Sequence, residues 1–124
     1  MNQFKKINIV VAGLGNVGSH VITSLSNINK NSFDKTNVTF NILGISAKNK
    51  SKKRIFNIAD FNWIDNPLDL LDLPNCDVLI ELIGEEQGIS YNLIKKALEK
   101  KIHVVTANKA LLSINGKKLF EIAD

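Results

Sequence analysis

Gly13-Leu14-Gly15-Asn16-Val17-Gly18 has the spacing G-x-G-x-x-G, and each glycine in that spacing answers a separate physical need. The first permits a tight turn, the second lets the backbone approach a pyrophosphate, and the third lets a helix pack closely on the preceding strand. The free N–H groups and positive end of that helix face the phosphates. Gly13, Leu14, Gly15, Asn16, Val17 and Gly18 are therefore candidate cofactor contacts. A second group follows the next strand-like run. An NAD-selective domain ends that strand in Asp or Glu, but this chain has Gly44-Ile45-Ser46-Ala47, then Lys48, Lys50, Lys52, Lys53 and Arg54. Cations with no acid among them suit the 2′-phosphate of NADP, with NAD still possible, and make Ala47, Lys48 and Lys50 candidate contacts, Lys48 first as nearest the strand end, with Lys52 and Arg54 as further donors. The same lysines also suit a solvated basic surface loop. A third group is Thr106-Ala107-Asn108-Lys109. Asn108 is an N-cap type of residue, which puts Lys109 in a first helical turn, an unfavourable place for a cation unless an anionic or catalytic role holds it there.

The elements needed to position these groups follow from periodicity. Residues 7–12, Ile-Asn-Ile-Val-Val-Ala, form a nearly continuous β-branched run, as in a strand buried on both faces of a parallel sheet. Val17, Val21, Ile22, Leu25 and Ile28 then mark an amphipathic helix ending near Ile28. Residues 38–45 read as a second strand and 46–54 as a lysine-rich loop. A short third strand is expected at 62–65, around Trp63, with Asp65-Asn66-Pro67 supplying the cap and first-turn proline of a short helix through Leu73. Residues 77–82 form a strand. Its carboxyl end puts Gly84 beside the nicotinamide half of a bound dinucleotide, and Glu81 reads as a structural residue that caps a neighbouring backbone group. Ile89, Leu93, Ile94, Ala97 and Leu98 share one face of the next helix, opposite Lys95, Lys96, Glu99 and Lys100. Val104 and Val105 form a last short strand before a helical region from Asn108 or Lys109. The alternation predicts a single doubly wound α/β domain of Rossmann type, with strand order 3-2-1-4-5.

Composition removes several classes. A chain of 124 residues, 44% hydrophobic and 23% charged, has the size and balance of one globular domain. No apolar run approaches the roughly 18 residues that span a bilayer, and the amino terminus lacks a signal-peptide pattern, so a cytoplasmic location is expected and no membrane partner. Cys76 is the single cysteine, which excludes an intrachain disulfide and a cysteine-rich zinc site and reads as a buried, inert thiol. His20 and His103 read as ordinary histidines, and no metal site is expected. The net charge of +4 is unevenly placed: residues 35–59 carry six basic side chains and no acid, while 55–94 carry eight of the twelve carboxylates and no Lys or Arg. That segregation favours a local anion site over a basic face. The lysine loop also lacks aromatic partners for base stacking, so no nucleic acid is expected as a partner.

The block Asp77-Val78-Leu79-Ile80-Glu81-Leu82-Ile83-Gly84, with Lys96-Ala97-Leu98, the run His103-Val104-Val105-Thr106-Ala107-Asn108-Lys109-Ala110-Leu111-Leu112, and Gly116, resembles homoserine dehydrogenase. With residues 13–18 in register, the resemblance covers essentially the whole chain, and 103–112 is its specific element. It implies NAD(P)-dependent interconversion of L-homoserine and L-aspartate 4-semialdehyde, in the biosynthesis of threonine, isoleucine and methionine, by an enzyme that is a homo-oligomer when intact. It implies that Lys109 is the catalytic lysine of the cleft, that Asn108 and Lys109 approach the nicotinamide, and that residues 13–18, Ile83 and Gly84 line the cofactor. The family carries a second glycine where this chain has Glu85. It also places a substrate domain with a second catalytic lysine after this region, so residues 1–124 are expected to be an NAD(P)-binding domain, inactive toward homoserine when isolated. A stand-alone NADP(H)-sensing module is the alternative reading of the same residues.

Overall fold

A computed structural model describes residues 5–31, 38–84 and 87–107. The opening apolar run forms β1 (Lys5–Ala12). Along it, Ile9 and Val11 enter one buried cluster with Leu14, Ile22 and Ile45, while Val10 and Ala12 enter another with Leu79, Leu93 and Ala97. A strand buried on both faces needs apolar residues at successive positions, which is why β1 lacks the alternation of a half-solvated strand.

Helix α1 (Asn16–Asn31) leads from β1 to β2 (Val38–Ser46). On the other side of β1 lies β3 (Val78–Glu81), followed by α2 (Gln87–Glu99) and β4 (His103–Thr106). All pairings are parallel and the order is β2-β1-β3-β4. The chain therefore reverses direction across the sheet between β1 and β3, and a crevice opens at the carboxyl ends of the strands at that point. This is the Rossmann-like architecture the sequence predicts.

Several local details differ. The strand expected at 62–65 lies beside β2 as predicted but shrinks to one parallel bridge, Ile45 with Trp63. Its hydrogen bonds run from Ile45 N–H to Asn62 O and from Ile64 N–H to Ile45 O, each 2.9 Å. Turns close in on both sides. Asn57 caps a 3-10 turn at Ile58–Asp60, and Asn66 caps a second at Pro67–Asp72 by accepting the Leu68 N–H, so no room is left for a longer ladder. The expected helix through Leu73 is that 3-10 turn, with Pro67 at its start as predicted. It packs Leu70 and Leu71 under the sheet, and Gly44 admits it, since a Cβ there would stand 2.9 Å from Leu73 Cδ1. α1 runs three residues past the expected Ile28. Ile89, expected on the apolar face of α2, is instead 41% exposed. Asp72 accepts from both Lys100 and Lys96 at 3.0 Å, tying the 3-10 turn to α2, and those bonds, Lys100 first, hold its carboxyl below the usual range. Cys76, expected to be buried, is half-buried, and that burial pushes its thiol up. Asn108, Lys109 and the helical region expected from them lie outside the described residues.

Candidate functional site

The turn after β1 is built by what glycine lacks. Gly13 has φ +100°, and a Cβ on it would fall 2.5 Å from the backbone carbon and oxygen of Leu82. A Cβ on Gly18 would lie 2.0 Å from the Gly13 carbonyl oxygen, so α1 can sit this close to β1 only without a side chain there. At Gly15 an added Cβ meets nothing within 4 Å. The three glycines thus divide as the motif requires: two serve close packing of the protein on itself, and one leaves space open in front of the backbone. The first four N–H groups of any helix lack intrahelical partners, and α1 opens at this space with no acidic residue in its first turn.

The open space belongs to a cavity of about 700 Å³ at the carboxyl edge of the sheet, within the range of small-molecule and cofactor sites. Gly13, Leu14 and Gly15 line it after β1, and Leu82, Ile83, Gly84 and Ile89 line it from β3 and α2. After β2 its wall is Ser46, Ala47, Lys48, Asn49, Lys52 and Arg54, with Asp65 and Pro67 beyond. The geometry fits a dinucleotide: a helix amino terminus with open backbone in the middle, cations at one end, and the apolar Ile83 and Ile89 at the other. Asn16 and Val17 face a separate shallow groove on α1 with His20, and Gly18 is buried in the packing of α1 on the turn.

The basic loop is a folded turn, with Lys52 N–H donating to Asn49 O at 3.3 Å. Lys50 does not line the cavity; its ammonium stands 5.9 Å from the centre of the Trp63 ring. Lys52 and Arg54 line it instead, beside Lys48. Sequence spacing offered Lys50, Lys52 and Arg54 together as alternatives to Lys48 and could not separate them, because a turn reverses the direction of successive side chains. Asp65 also departs from the expectation of a phosphate site with no acid. It borders the same cavity, and its Oδ1 accepts the Trp63 indole N–H at 2.8 Å. Its place at the carboxyl end of the short segment beside β2 was the available signal.

Glu81, at the carboxyl end of β3, is fully buried. Its Oε1 accepts the Ile83 N–H at 2.9 Å and the Ser90 hydroxyl at 3.0 Å, and its Oε2 accepts the Thr106 hydroxyl at 2.6 Å. One carboxylate therefore fixes the turn that carries Ile83 and Gly84 and joins it to α2 and to the end of β4. A buried carboxylate is costly unless its oxygens are bonded in this way. The cap predicted at Glu81 is present, and Ser90 and Thr106 extend it to two further elements. Gly84, with φ +87°, ends this turn. Glu85, Asn108 and Lys109 lie outside the described residues.

A family model described as "Homoserine dehydrogenase, NAD binding domain" matches residues 13–124. The chain is 32% identical over 115 residues to homoserine dehydrogenase of Bacillus subtilis, covering 93% of this chain and 26% of that protein. It is 31% identical over 120 residues to the Neisseria gonorrhoeae enzyme, covering 97% of this chain and 27% of that one. Among solved structures, S. aureus homoserine dehydrogenase at pH 6.0 superposes with a TM-score of 0.86 at 33% identity, over 98% of this chain and 30% of that one. A hyperthermophilic archaeal homoserine dehydrogenase in complex with NADPH superposes with a TM-score of 0.72 at 22% identity, over 95% of this chain and 40% of that one. The chain thus spans about a quarter of the length of the curated relatives it matches.

Proposed function

The chain belongs to the homoserine dehydrogenase family as its NAD(P)-binding domain, and from that premise we propose that it holds NADP(H) for the interconversion of L-homoserine and L-aspartate 4-semialdehyde. The observation that carries the cofactor reading is the continuity of one cavity from the open backbone at Gly15 to the cations Lys48, Lys52 and Arg54. Three cations against the single carboxylate of Asp65 leave that end positive, which favours a 2′-phosphate over a bare ribose. The archaeal relative is a complex with NADPH. At its level of identity the likeness speaks for the fold, so the choice of NADP rests on the cations.

The chemistry a bound NADP(H) would supply is hydride exchange with the carbinol carbon of the substrate. The rest of the work falls to the protein. Gly13, Leu14 and Gly15 would bring backbone to the pyrophosphate, and the carboxylate of Glu81, which fixes the turn carrying Ile83 and Gly84, would present that turn to the nicotinamide half. Lys109, three residues beyond Thr106 in the chain, stabilises charge on the substrate oxygen, with Asn108 beside it. A cytoplasmic, homo-oligomeric enzyme of amino-acid biosynthesis is the setting of this proposal. The relatives matched are themselves dehydrogenases, which leaves a stand-alone NADP(H)-sensing module unsupported. Among the described residues no helix is long and apolar enough to cross a membrane.

Trp63, the single tryptophan, sits against the basic loop and supplies a fluorescence signal for titration. NADP is expected to bind roughly ten- to hundredfold more tightly than NAD, the equivalent of one charge-assisted bond of about 1.5–3 kcal/mol. Equal affinities, or tighter binding of NAD, would overturn the assignment of NADP. Failure of both nucleotides to bind at millimolar concentration would overturn the site.

A further inference from the structure

Arg54 lines the cavity, yet its guanidinium is already engaged by the protein. Nε donates to Leu14 O at 3.4 Å, Nη1 to Lys50 O at 3.3 Å and Lys52 O at 3.1 Å, and Nη2 to Asn49 O at 2.6 Å. A guanidinium has five N–H donors and no more, so four carbonyls leave at most one donor for a ligand. The group also lies 5.6 Å from the centre of the Trp63 ring, within range of a cation–π contact. Three of the carbonyls belong to the turn between Asn49 and Lys52, and the fourth to the glycine turn after β1. The side chain thus gathers the basic loop and clips it to the phosphate loop.

We infer that Arg54 is the positioning residue of cofactor choice: by engaging the carbonyls of Leu14, Asn49, Lys50 and Lys52 it holds Lys48 and Lys52 at the cavity wall, and those lysines make the phosphate contacts. This rests on the proposed binding of NADP and deepens it. Arg54 acts by shape here, because its planar fork spreads donors over carbonyls of two separate turns, whereas lysine carries equal charge on one compact ammonium. Phosphate affinity comes from two side chains whose places are fixed before the nucleotide arrives.

The test reads the ratio of NADP to NAD affinity, which general loss of folding would leave unchanged. Arg54→Lys is expected to lower that ratio on the order of tenfold, as far as Arg54→Ala does. Lys52→Ala and Lys48→Ala are each expected to lower it in the wild-type background, and Lys52→Ala to add little once Arg54→Lys is present, a non-additivity typical of groups acting through one another. Protection of the Lys52 amide in hydrogen exchange is expected to fall in Arg54→Lys. A wild-type ratio retained in Arg54→Lys but lost in Arg54→Ala would make Arg54 a direct charge partner of the phosphate and overturn the inference, leaving NADP binding intact. Additive losses, or lysine variants without effect, would overturn it equally. A wild-type ratio of one would instead bring down the NADP reading, and this inference with it.

Discussion

Two neighbouring walls of the cavity are built in opposite ways. The turn after β1 works by omission: nothing projects from positions 13, 15 and 18, and the backbone takes the space. The loop after β2 works by addition, with one long side chain drawing together carbonyls from residues 14, 49, 50 and 52. A wall made by omission should fail when a single carbon is added to it, whereas one made by addition should fail when donors are lost. The first is specified by six consecutive residues; the second depends on a contact between Arg54 and Leu14 that are forty positions apart.

The largest effect is expected at the first wall. Gly13→Ala puts a methyl into the backbone of Leu82 and forces an L side chain into φ +100°, combining overpacking with backbone strain for a loss of roughly 3–5 kcal/mol. Urea unfolding would show it as a lower midpoint with an unchanged slope, and stability near wild type would mean that the turn relaxes and is not fixed by omission.

Gly15→Val separates binding from folding on the same wall. Space is open at Gly15, so the cost to stability is expected to be about 1 kcal/mol, from replacing glycine at a helix cap by a β-branched residue. Nucleotide affinity should fall by about a hundredfold or more, since the side chain takes the room meant for a pyrophosphate. Undiminished affinity in the folded variant would remove the phosphate site from this turn.

The smallest effect is expected at the second wall. Lys50→Ala removes a cation that stands over Trp63 and does not line the cavity, while the Lys50 carbonyl that Arg54 uses remains. NADP affinity should change by less than about twofold and stability by about 0.5 kcal/mol, the size of an exposed cation–π contact. A loss as large as that of Lys52→Ala would mean that the loop recognises phosphate by summed charge and that its arrangement is immaterial.

The strands, their parallel order and the glycine turn were legible because each depends on neighbours in the chain. Periodicity marks β1 and α1 as buried on two faces and on one, and G-x-G-x-x-G lies between them. The lysine loop was legible as charge but not as geometry. Reading along the chain put Lys48 first, as nearest the strand end, and left Lys50, Lys52 and Arg54 as alternatives, because nothing local says which side chains a turn will face inward. Ile89 fits the apolar stripe of α2, yet it lies in the first turn of that helix, where it lines the cavity.

By itself the sequence determined a doubly wound domain with a glycine turn after β1, and through residues 103–112 its family, since hydrophobic period and glycine spacing act within a few residues. Only the tertiary structure decided that Asp65 joins the cavity, that Lys52 and Arg54 replace Lys50 at its wall, and that Glu81 binds Ile83, Ser90 and Thr106 together. Each of these depends on hydrogen bonds or packing between separate elements, and a buried carboxylate or guanidinium takes whichever donors and carbonyls the fold brings within about 3 Å.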